Sequence, residues 1–160
     1  ADLKIDKKIL HISIKREEFL RMALQMAKAV KLVDKEMRPY LFLYILSCFK
    51  KIPSQLLCER IHTPNIYKKV LKFQKCVPSR ITDRFLAAVA LKMAIRQWLG
   101  VYADRVKKRS IKLGIYERGF DPGIRPADLL EEGYAGKRLG EELRRRVLET
   151  LRKRFSKDIS

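Results

Sequence analysis

Apolar residues recur every three or four positions along most of the chain, the spacing that aligns side chains on one face of an α-helix. Near the start the spacing differs, because Leu10, Ile12 and Ile14 alternate with polar residues, so residues 3–14 are predicted to form a short β-hairpin or a loop. A helical face then begins, formed by Phe19, Met22, Ala23, Met26, Ala27, Val30 and Val33. The pattern as a whole predicts an all-α fold.

Prolines and capping residues divide the next stretch into helices. Pro39 suits the first turn of a helix, and residues 40–46 are apolar on every side, which predicts a central buried helix. Pro53 and Pro64 mark the starts of two short helices, and Thr82 can cap a third. The third helix is predicted to be long, with a buried side formed by Phe85, Leu86, Val89, Met93, Trp98, Leu99 and Tyr102. The residues expected to lead the core are Phe42, Ile45, Leu46, Phe85, Val89 and Trp98.

The chain changes character after Tyr102. A basic stretch is followed by a segment rich in glycine and proline, a composition that favours a connecting loop. The apolar stripe of the final helix is formed by Leu139, Leu143, Val147, Leu151 and Phe155. The predicted organisation is a compact multi-helix domain over 1–113, a linker joining two lobes over 114–126, and a basic tail with a helix-hairpin-helix-like turn over 127–160.

Positive charge dominates the composition. Lys and Arg number 37 against 18 Asp and Glu, which gives a formal net charge of +19. Repulsion on this scale is tolerated when the partner is a polyanion, so nucleic acid is the favoured partner and an anionic membrane surface is the lesser alternative. The longest apolar run, residues 40–49, is too short to span a bilayer.

Cysteine usage and the first residues predict a cytoplasmic protein. Charged residues from Lys4 to Lys8 interrupt any hydrophobic leader at the start. Cys48, Cys58 and Cys76 are odd in number, widely spaced and set in apolar surroundings. We therefore expect buried, reduced thiols in place of disulfides.

The sequence lacks the signature residues of a self-sufficient enzyme. It contains no glycine-rich phosphate loop, no nucleophile elbow and no Asp-x-Asp pair that could hold two metal ions. Its two histidines, His11 and His62, lie about fifty residues apart. We therefore expect no catalytic site, metal or cofactor in this chain.

Two glycines flank the start of the last helix. A short helix from Pro126 should end at Gly133 in a left-handed conformation, which leaves Gly136 at the entrance of the final helix. Lys137 and Arg138 stand where the free N–H groups and the dipole of that helix attract anions. This arrangement suits a clamp on a nucleic-acid phosphate, which reads no sequence. An ordinary hairpin with solvated cations is the alternative.

Further cations follow along the same helix. Nine basic residues face three glutamates between positions 137 and 157, and they are Lys137, Arg138, Arg144, Arg145, Arg146, Arg152, Lys153, Arg154 and Lys157. On electrostatic grounds the candidate contacts also include Arg144, Arg145 and an upstream cluster, Arg105, Lys107, Lys108 and Arg109. Each phosphate contact made by such residues would release counterions. A plain solvated helix face is the alternative here.

The tail motif resembles that of a known enzyme family, the class II tRNA nucleotidyltransferases. These are the CCA-, CC- and A-adding enzymes, with their relatives the bacterial poly(A) polymerases. The similar residues are Asp128-Leu129-Leu130, Gly133, Gly136, Leu139-Gly140 and the apolar helix after them, while Ala135 and Lys137 replace the prolines of the family. Upstream, residues 38–43 are similar to the start of the family's body region.

The resemblance implies a neck, body and tail without the catalytic head. Mg²⁺ and ATP or CTP would then belong to the missing head, and the chain would act in maturation of the tRNA 3′ end. In that family the body and tail hold the tRNA backbone, a role that carries over only to Gly136, Lys137 and Gly140. The implied partners are tRNA or another structured RNA, and the catalytic head of the same enzyme or of a separate chain, with no membrane.

Two further functions fit the same residues. The turn Gly133-Tyr134-Ala135-Gly136 is also typical of helix-hairpin-helix proteins that bind DNA or RNA independently. A helical module that binds protein, with its charge serving solubility, is the third hypothesis. Binding to tRNA, to duplex DNA or to neither separates the three.

Overall fold

The computed structural model describes residues 12–155, and every regular element in that range is helical. The elements in chain order are α1 Arg16–Leu32, a 3-10 helix Lys35–Tyr40, α2 Leu41–Lys50, α3 Ser54–Arg60, α4 Asn65–Leu71, α5 Asp83–Ala90, a 3-10 helix Ile95–Gln97, α6 Asp104–Lys112, α7 Pro126–Glu131 and α8 Gly136–Phe155. The predicted all-α fold is confirmed for these residues. Residues 12–15 form neither helix nor strand, and the rest of the prediction for 3–14 lies outside the described range.

The chain divides into two compact units. The first contains the described chain up to Val77 together with Arg96–Arg109, and the second contains Pro78–Ile95 and the chain from Ser110 onward. Each unit is thus built from two separate stretches of sequence. The predicted division into 1–113 and 127–160 assigned continuous stretches, and the observed boundaries differ from it.

The segment 114–126 was predicted to join two lobes. It lies within the second unit instead. Ile115 and Phe120 are buried. The Ile95 amide donates to the Ile115 carbonyl at 3.1 Å, and the Phe120 amide donates to the Ala90 carbonyl at 2.8 Å. These apolar side chains and backbone bonds hold the segment in a core, so its glycines and prolines shape a packed loop.

Helix α2 carries most of the buried residues of the first unit. Ile45 and Leu46 are buried as predicted, with Leu41, Leu43 and Tyr44 beside them. Phe42 is exposed, so the prediction that it leads the core was wrong. The other elements of this unit cover only part of the helix surface, and Phe42 lies on the part that faces solvent.

Helix α1 buries a narrower face than its apolar pattern predicts. Met22 and Ala29, seven residues apart on one side of the helix, are buried, whereas Phe19, Ala23 and Ala27 are exposed. The three-and-four spacing of the sequence combined two adjacent apolar faces. Only the face that carries Met22 is buried in this unit.

The irregular segment after α4 is held by its backbone in the first unit. The Lys75 carbonyl accepts hydrogen bonds from the Tyr44 hydroxyl at 2.8 Å and from the Trp98 indole nitrogen at 2.7 Å. The Gln74 side chain bonds the Leu99 amide and the Gln97 carbonyl, each at 2.9 Å. Trp98 is fully buried, which confirms its predicted role as a core anchor.

A disulfide joins Cys48 of α2 to Cys76 in this segment. The prediction of three reduced thiols was therefore wrong for these two residues and holds for Cys58, which is free and buried. The sequence pattern could not show the pairing, because 28 positions separate the two cysteines and only the packing of α2 against residues 74–77 brings them together.

The long helix predicted from Thr82 to Tyr102 is interrupted. Thr82 does cap it, since its hydroxyl accepts from the Phe85 amide at 3.1 Å, but α5 ends at Ala90. The Phe120 amide donates a hydrogen bond to the Ala90 carbonyl there. A Cβ atom at Gly119 would lie 2.7 Å from the same oxygen. Val89 is buried as predicted and Phe85 is half-buried. A tertiary contact of the helix end thus replaces further helical hydrogen bonds.

Within residues 12–155, no single helix is both long and apolar enough to cross a bilayer. In that range only a pair of helical segments bent by 117°, Lys35–Lys50 with Ser54–Arg60, reaches that length and apolar character when the two are taken together.

Breaking the Cys48–Cys76 bond should destabilise the first unit. A cross-link across 28 residues restricts the unfolded chain and stabilises the native state by about 3–4 kcal/mol on the loop-entropy account. We expect dithiothreitol to lower the urea midpoint of the native protein and to leave a Cys48→Ser/Cys76→Ser variant unchanged. Equal midpoints of the native protein with and without reductant would contradict the prediction.

Candidate nucleic-acid interface

Helices α7 and α8 and the turn between them, residues 126–155, form what we call the tail hairpin. Pro126 occupies the first position of α7, where its missing N–H leaves no bond unmade. At the other end Gly133 has φ +94°, its amide donates to the Leu130 carbonyl, and the Tyr134 amide donates to the Leu129 carbonyl, both at 3.0 Å. This pair of bonds is the Schellman arrangement, which confirms Gly133 as the left-handed end of α7.

The N-terminus of α8 is open to solvent and carries two cations. Gly136 is its first residue, with φ +55° and no atom within 4 Å of the position a Cβ would take. No acidic residue lies in the first turn. The Lys137 side chain is 92% exposed and lies 3.8 Å from Glu141, and Arg138 is exposed. Positive side chains beside the positive end of the helix dipole leave this end electrostatically suited to an anion.

An ion-pair network joins the two helices of the tail hairpin. Glu142 accepts from Arg145 at 2.7 Å and from Arg146 at 2.8 Å, and Arg146 also donates to Glu132, which follows α7. Arg145 reaches Glu149 at 3.0 Å as well. Hydrogen bonds from Arg145 and Arg146 lower the pKa of Glu142 to about 2. The same type of bond from Arg146 lowers the pKa of Glu132.

This network separates the basic residues of α8 into two groups. Lys137, Arg145, Arg146 and Lys153 have carboxylate partners in their own helix, and the Lys137 contact is the longest of these at 3.8 Å. Within the described part of the chain, no carboxylate lies in ion-pair distance of Arg138 or Arg144. The second group can meet phosphates without first breaking an internal ion pair.

The structure brings part of the predicted site together. Gly136, Lys137, Arg138, Gly140 and Arg144 all lie on α8 near its start, and all are exposed. Arg145 is on the same helix, but its guanidinium is already engaged by Glu142 and Glu149.

The upstream cluster belongs to the other of the two units. Arg105, Lys107, Lys108 and Arg109 belong to the part of α6 in the first unit. Lys108 lies 2.8 Å from Asp104, one turn earlier, and that bond raises the pKa of Lys108. The cluster is therefore described by itself, as a candidate surface of the first unit.

Sequence reasoning missed the part played by Arg146. Its guanidinium bonds Glu132 and Glu142 and lies 5.8 Å from the centre of the Tyr134 ring. The spacing of Glu142 and Arg146 on one helix was a readable signal, since residues four apart are neighbours. The bond to Glu132, fourteen positions away, depends on the turn at Gly133.

A cavity of about 260 Å³ lies in the first unit, bordered by Gln25, Tyr44, Ile45, Cys48, Phe49, Val77 and Tyr102. Burial raises the pKa of both tyrosines, and the Gln25 amide donates to the Tyr102 hydroxyl at 3.1 Å. Across residues 12–155, no three His, Cys, Asp or Glu side chains gather closely enough to hold a metal ion.

Comparison with known proteins adds no relative. No family model, no curated protein and no solved structure matches this chain.

The pKa of Glu142 gives a pH test of the ion-pair network. Its carboxyl should titrate near pH 2 in the folded protein and near its ordinary value of 4.5 when unfolded. A pKa lowered by folding stabilises the native state above pH 4.5, and this contribution is lost as the pH falls from 4.5 to 2. A carboxyl NMR titration should show the low midpoint, and Glu142→Gln should remove that part of the pH dependence of stability. A Glu142 midpoint at 4.5 would disprove the network in solution.

Gly140 is a second test position, because the chain itself does not require glycine there. It lies inside α8, no atom is within 4 Å of its Cβ position, and its φ is not positive. Gly140→Ala should therefore stabilise the protein by about 0.5–1 kcal/mol through helix propensity. Gly136→Ala, at positive φ, should destabilise it. Chemical denaturation measures both, and a loss of stability in Gly140→Ala would mean that the position is constrained.

Proposed function

We propose that the tail hairpin binds the phosphate backbone of structured RNA, and that the chain is the tRNA-binding, non-catalytic part of a tRNA nucleotidyltransferase acting in tRNA 3′-end maturation. The observation that supports RNA binding is the combination of geometry and charge at the start of α8. An exposed helix N-terminus without acidic residues, an open Gly136, and the cations Lys137 and Arg138 occur together there.

Electrostatics supports a phosphate as the ligand of this end. Lys137 and Arg138 repel the positive end of the helix dipole until an anion joins them. Backbone N–H groups can bond phosphate oxygens directly, and Gly136 leaves the space above them empty. Arg144, one to two turns further along, can reach a neighbouring phosphate. Contacts of this kind position a nucleic acid without reading its sequence.

The choice of tRNA rests on the family resemblance of the tail motif. Two of its glycines have conformational reasons within the chain, since Gly133 and Gly136 both have positive φ. Gly140 has no such reason, so a close approach of RNA backbone to α8 would explain it. The catalytic head, its Mg²⁺ and its nucleotide would come from outside these 160 residues.

The proposal places the chain in the cytoplasm, where tRNA matures. Disulfides are rare in that compartment outside the proteins of hyperthermophiles. The Cys48–Cys76 bond is therefore the observation that weighs against this part of the proposal. Alkylation of free thiols at lysis would give the oxidation state of the pair in cells.

An independent helix-hairpin-helix protein is the second candidate, favoured by the turn between Gly133 and Gly136. Such a protein would bind duplex DNA as well as tRNA. Affinity for tRNA that exceeds affinity for duplex DNA of equal charge supports the first candidate. Absence of binding to both at moderate salt would favour a protein-interaction module.

Replacing Lys137 and Arg138 by Ala tests the clamp. The apolar stripe of α8 is untouched, so the fold should survive, while tRNA binding should weaken similarly for every tRNA sequence. The slope of log affinity against log salt should shrink by about one to two units, if each cation neutralises one phosphate. Filter binding across a salt series measures both quantities.

A matched control removes the same charge elsewhere. Lys31→Ala/Lys35→Ala takes two exposed cations from the first unit, and its salt slope should stay close to that of the native protein. Equal effects of the two double variants would show that net charge alone drives binding. An unchanged slope in Lys137→Ala/Arg138→Ala would move the site to the cluster between Arg105 and Arg109.

A further inference from the structure

A second charged surface lies in the first unit, on α4 and the residues after it. No Asp or Glu occurs between Glu59 and Asp83, although this stretch contains Arg60, Lys68, Lys69, Lys72, Lys75 and Arg80. Lys68 lies 3.8 Å from Glu59. Lys69, Lys72 and Lys75 are exposed, and among the described residues no carboxylate lies in ion-pair distance of them.

An aromatic residue stands between Lys72 and Lys75 in the sequence. Phe73 is 47% exposed, and the Lys72 ammonium lies 5.3 Å from the centre of its ring. A phenyl ring combined with cations is the composition of single-strand binding surfaces, where bases stack on the ring and cations hold the phosphates. A cation beside the ring adds attraction of its own. We call Lys69, Lys72, Phe73 and Lys75 the α4 surface.

The chain at the end of the α4 surface is held by three bonds at two neighbouring residues. The Lys75 carbonyl is held by Tyr44 and Trp98, and Cys76 is bonded covalently to α2. The backbone two and three residues after Phe73 is therefore held in one conformation. A surface held in its binding conformation loses less entropy when it binds.

We propose that the α4 surface binds single-stranded RNA, with an unpaired base stacked on Phe73 and phosphates held by Lys69, Lys72 and Lys75. The helix dipole accounts for cations in the last turn of α4, but Lys75 lies beyond the helix end. An anionic membrane is the less favoured partner, because membrane binding grows with buried apolar area and the surface offers one ring. The proposal does not depend on the clamp at α8.

Fluorescence anisotropy of a labelled oligo(U) with the full chain tests this site. Phe73→Ala should weaken binding by about fivefold to a hundredfold, the usual effect of losing one stacked base, while Phe73→Trp should retain it. Phe19→Ala is the matched control, since Phe19 is 45% exposed and lies in the same unit. This variant should bind oligo(U) as the native protein does.

The lysines of the α4 surface and the disulfide next to it are tested by separate experiments. Lys72→Ala/Lys75→Ala should reduce the salt slope for oligo(U) by about one to one and a half units. Reduction of the disulfide should weaken oligo(U) binding, and it should have no effect in Cys48→Ser/Cys76→Ser.

Three results would overturn the proposal. They are absence of oligo(U) binding by the native protein, equal affinities of Phe73→Ala and Phe19→Ala, or Phe73-dependent binding to anionic phospholipid vesicles without an effect on oligo(U). The effect of Phe73→Ala should persist in the Lys137→Ala/Arg138→Ala background. Failure of the α8 clamp and failure of the α4 surface are therefore distinguishable.

Discussion

Positive charge that the chain's own carboxylates cannot neutralise governs the organisation of its surface. With 37 cationic and 18 acidic side chains, ion pairing leaves a large surplus whichever pairs form. Several carboxylates bond cations at structural junctions: Glu18 bonds Lys50 between α1 and α2, and Glu132 bonds Arg146 between the two helices of the tail hairpin. Cations without a carboxylate partner, such as Arg138 and Arg144, are the ones most readily available to a polyanion.

The tail hairpin shows how this distribution depends on backbone geometry. Gly133 in the left-handed conformation reverses the chain within a few residues, which brings Glu132 to Arg146. Arg146 and Arg145 together engage Glu142, and this carboxylate is then unavailable to the start of the helix. Arg138, four positions before Glu142, therefore has no ion pair with it, because two residues later in the helix hold this carboxylate.

Local signals in the sequence predicted the helix ends and the turn. Proline at the start of α7, Thr82 as a cap and Gly133 as a left-handed terminus each act over three or four residues, and each is found where it was expected. The long-range features were not predictable in this way. The end of α5 at Ala90 depends on Phe120, thirty positions later, and the disulfide depends on packing across 28 residues.

The candidate site also combines features that are local in sequence with features that depend on the fold. Its place at the start of α8 follows from glycine spacing and helix electrostatics, which are local. Arg145 has Glu142 three positions before it and Glu149 four positions after it, so its ion pairs were also readable from helical spacing. The bond from Arg146 to Glu132 was not, because it depends on the turn between the two helices. The segment after Phe73 illustrates the same limit, because the bonds that hold it at Lys75 and Cys76 come from residues more than twenty positions away in sequence. For a chain with this much unpaired charge, the folded backbone decides where an anion can be held, since a cation on a pinned segment loses less freedom on binding than one on a free loop.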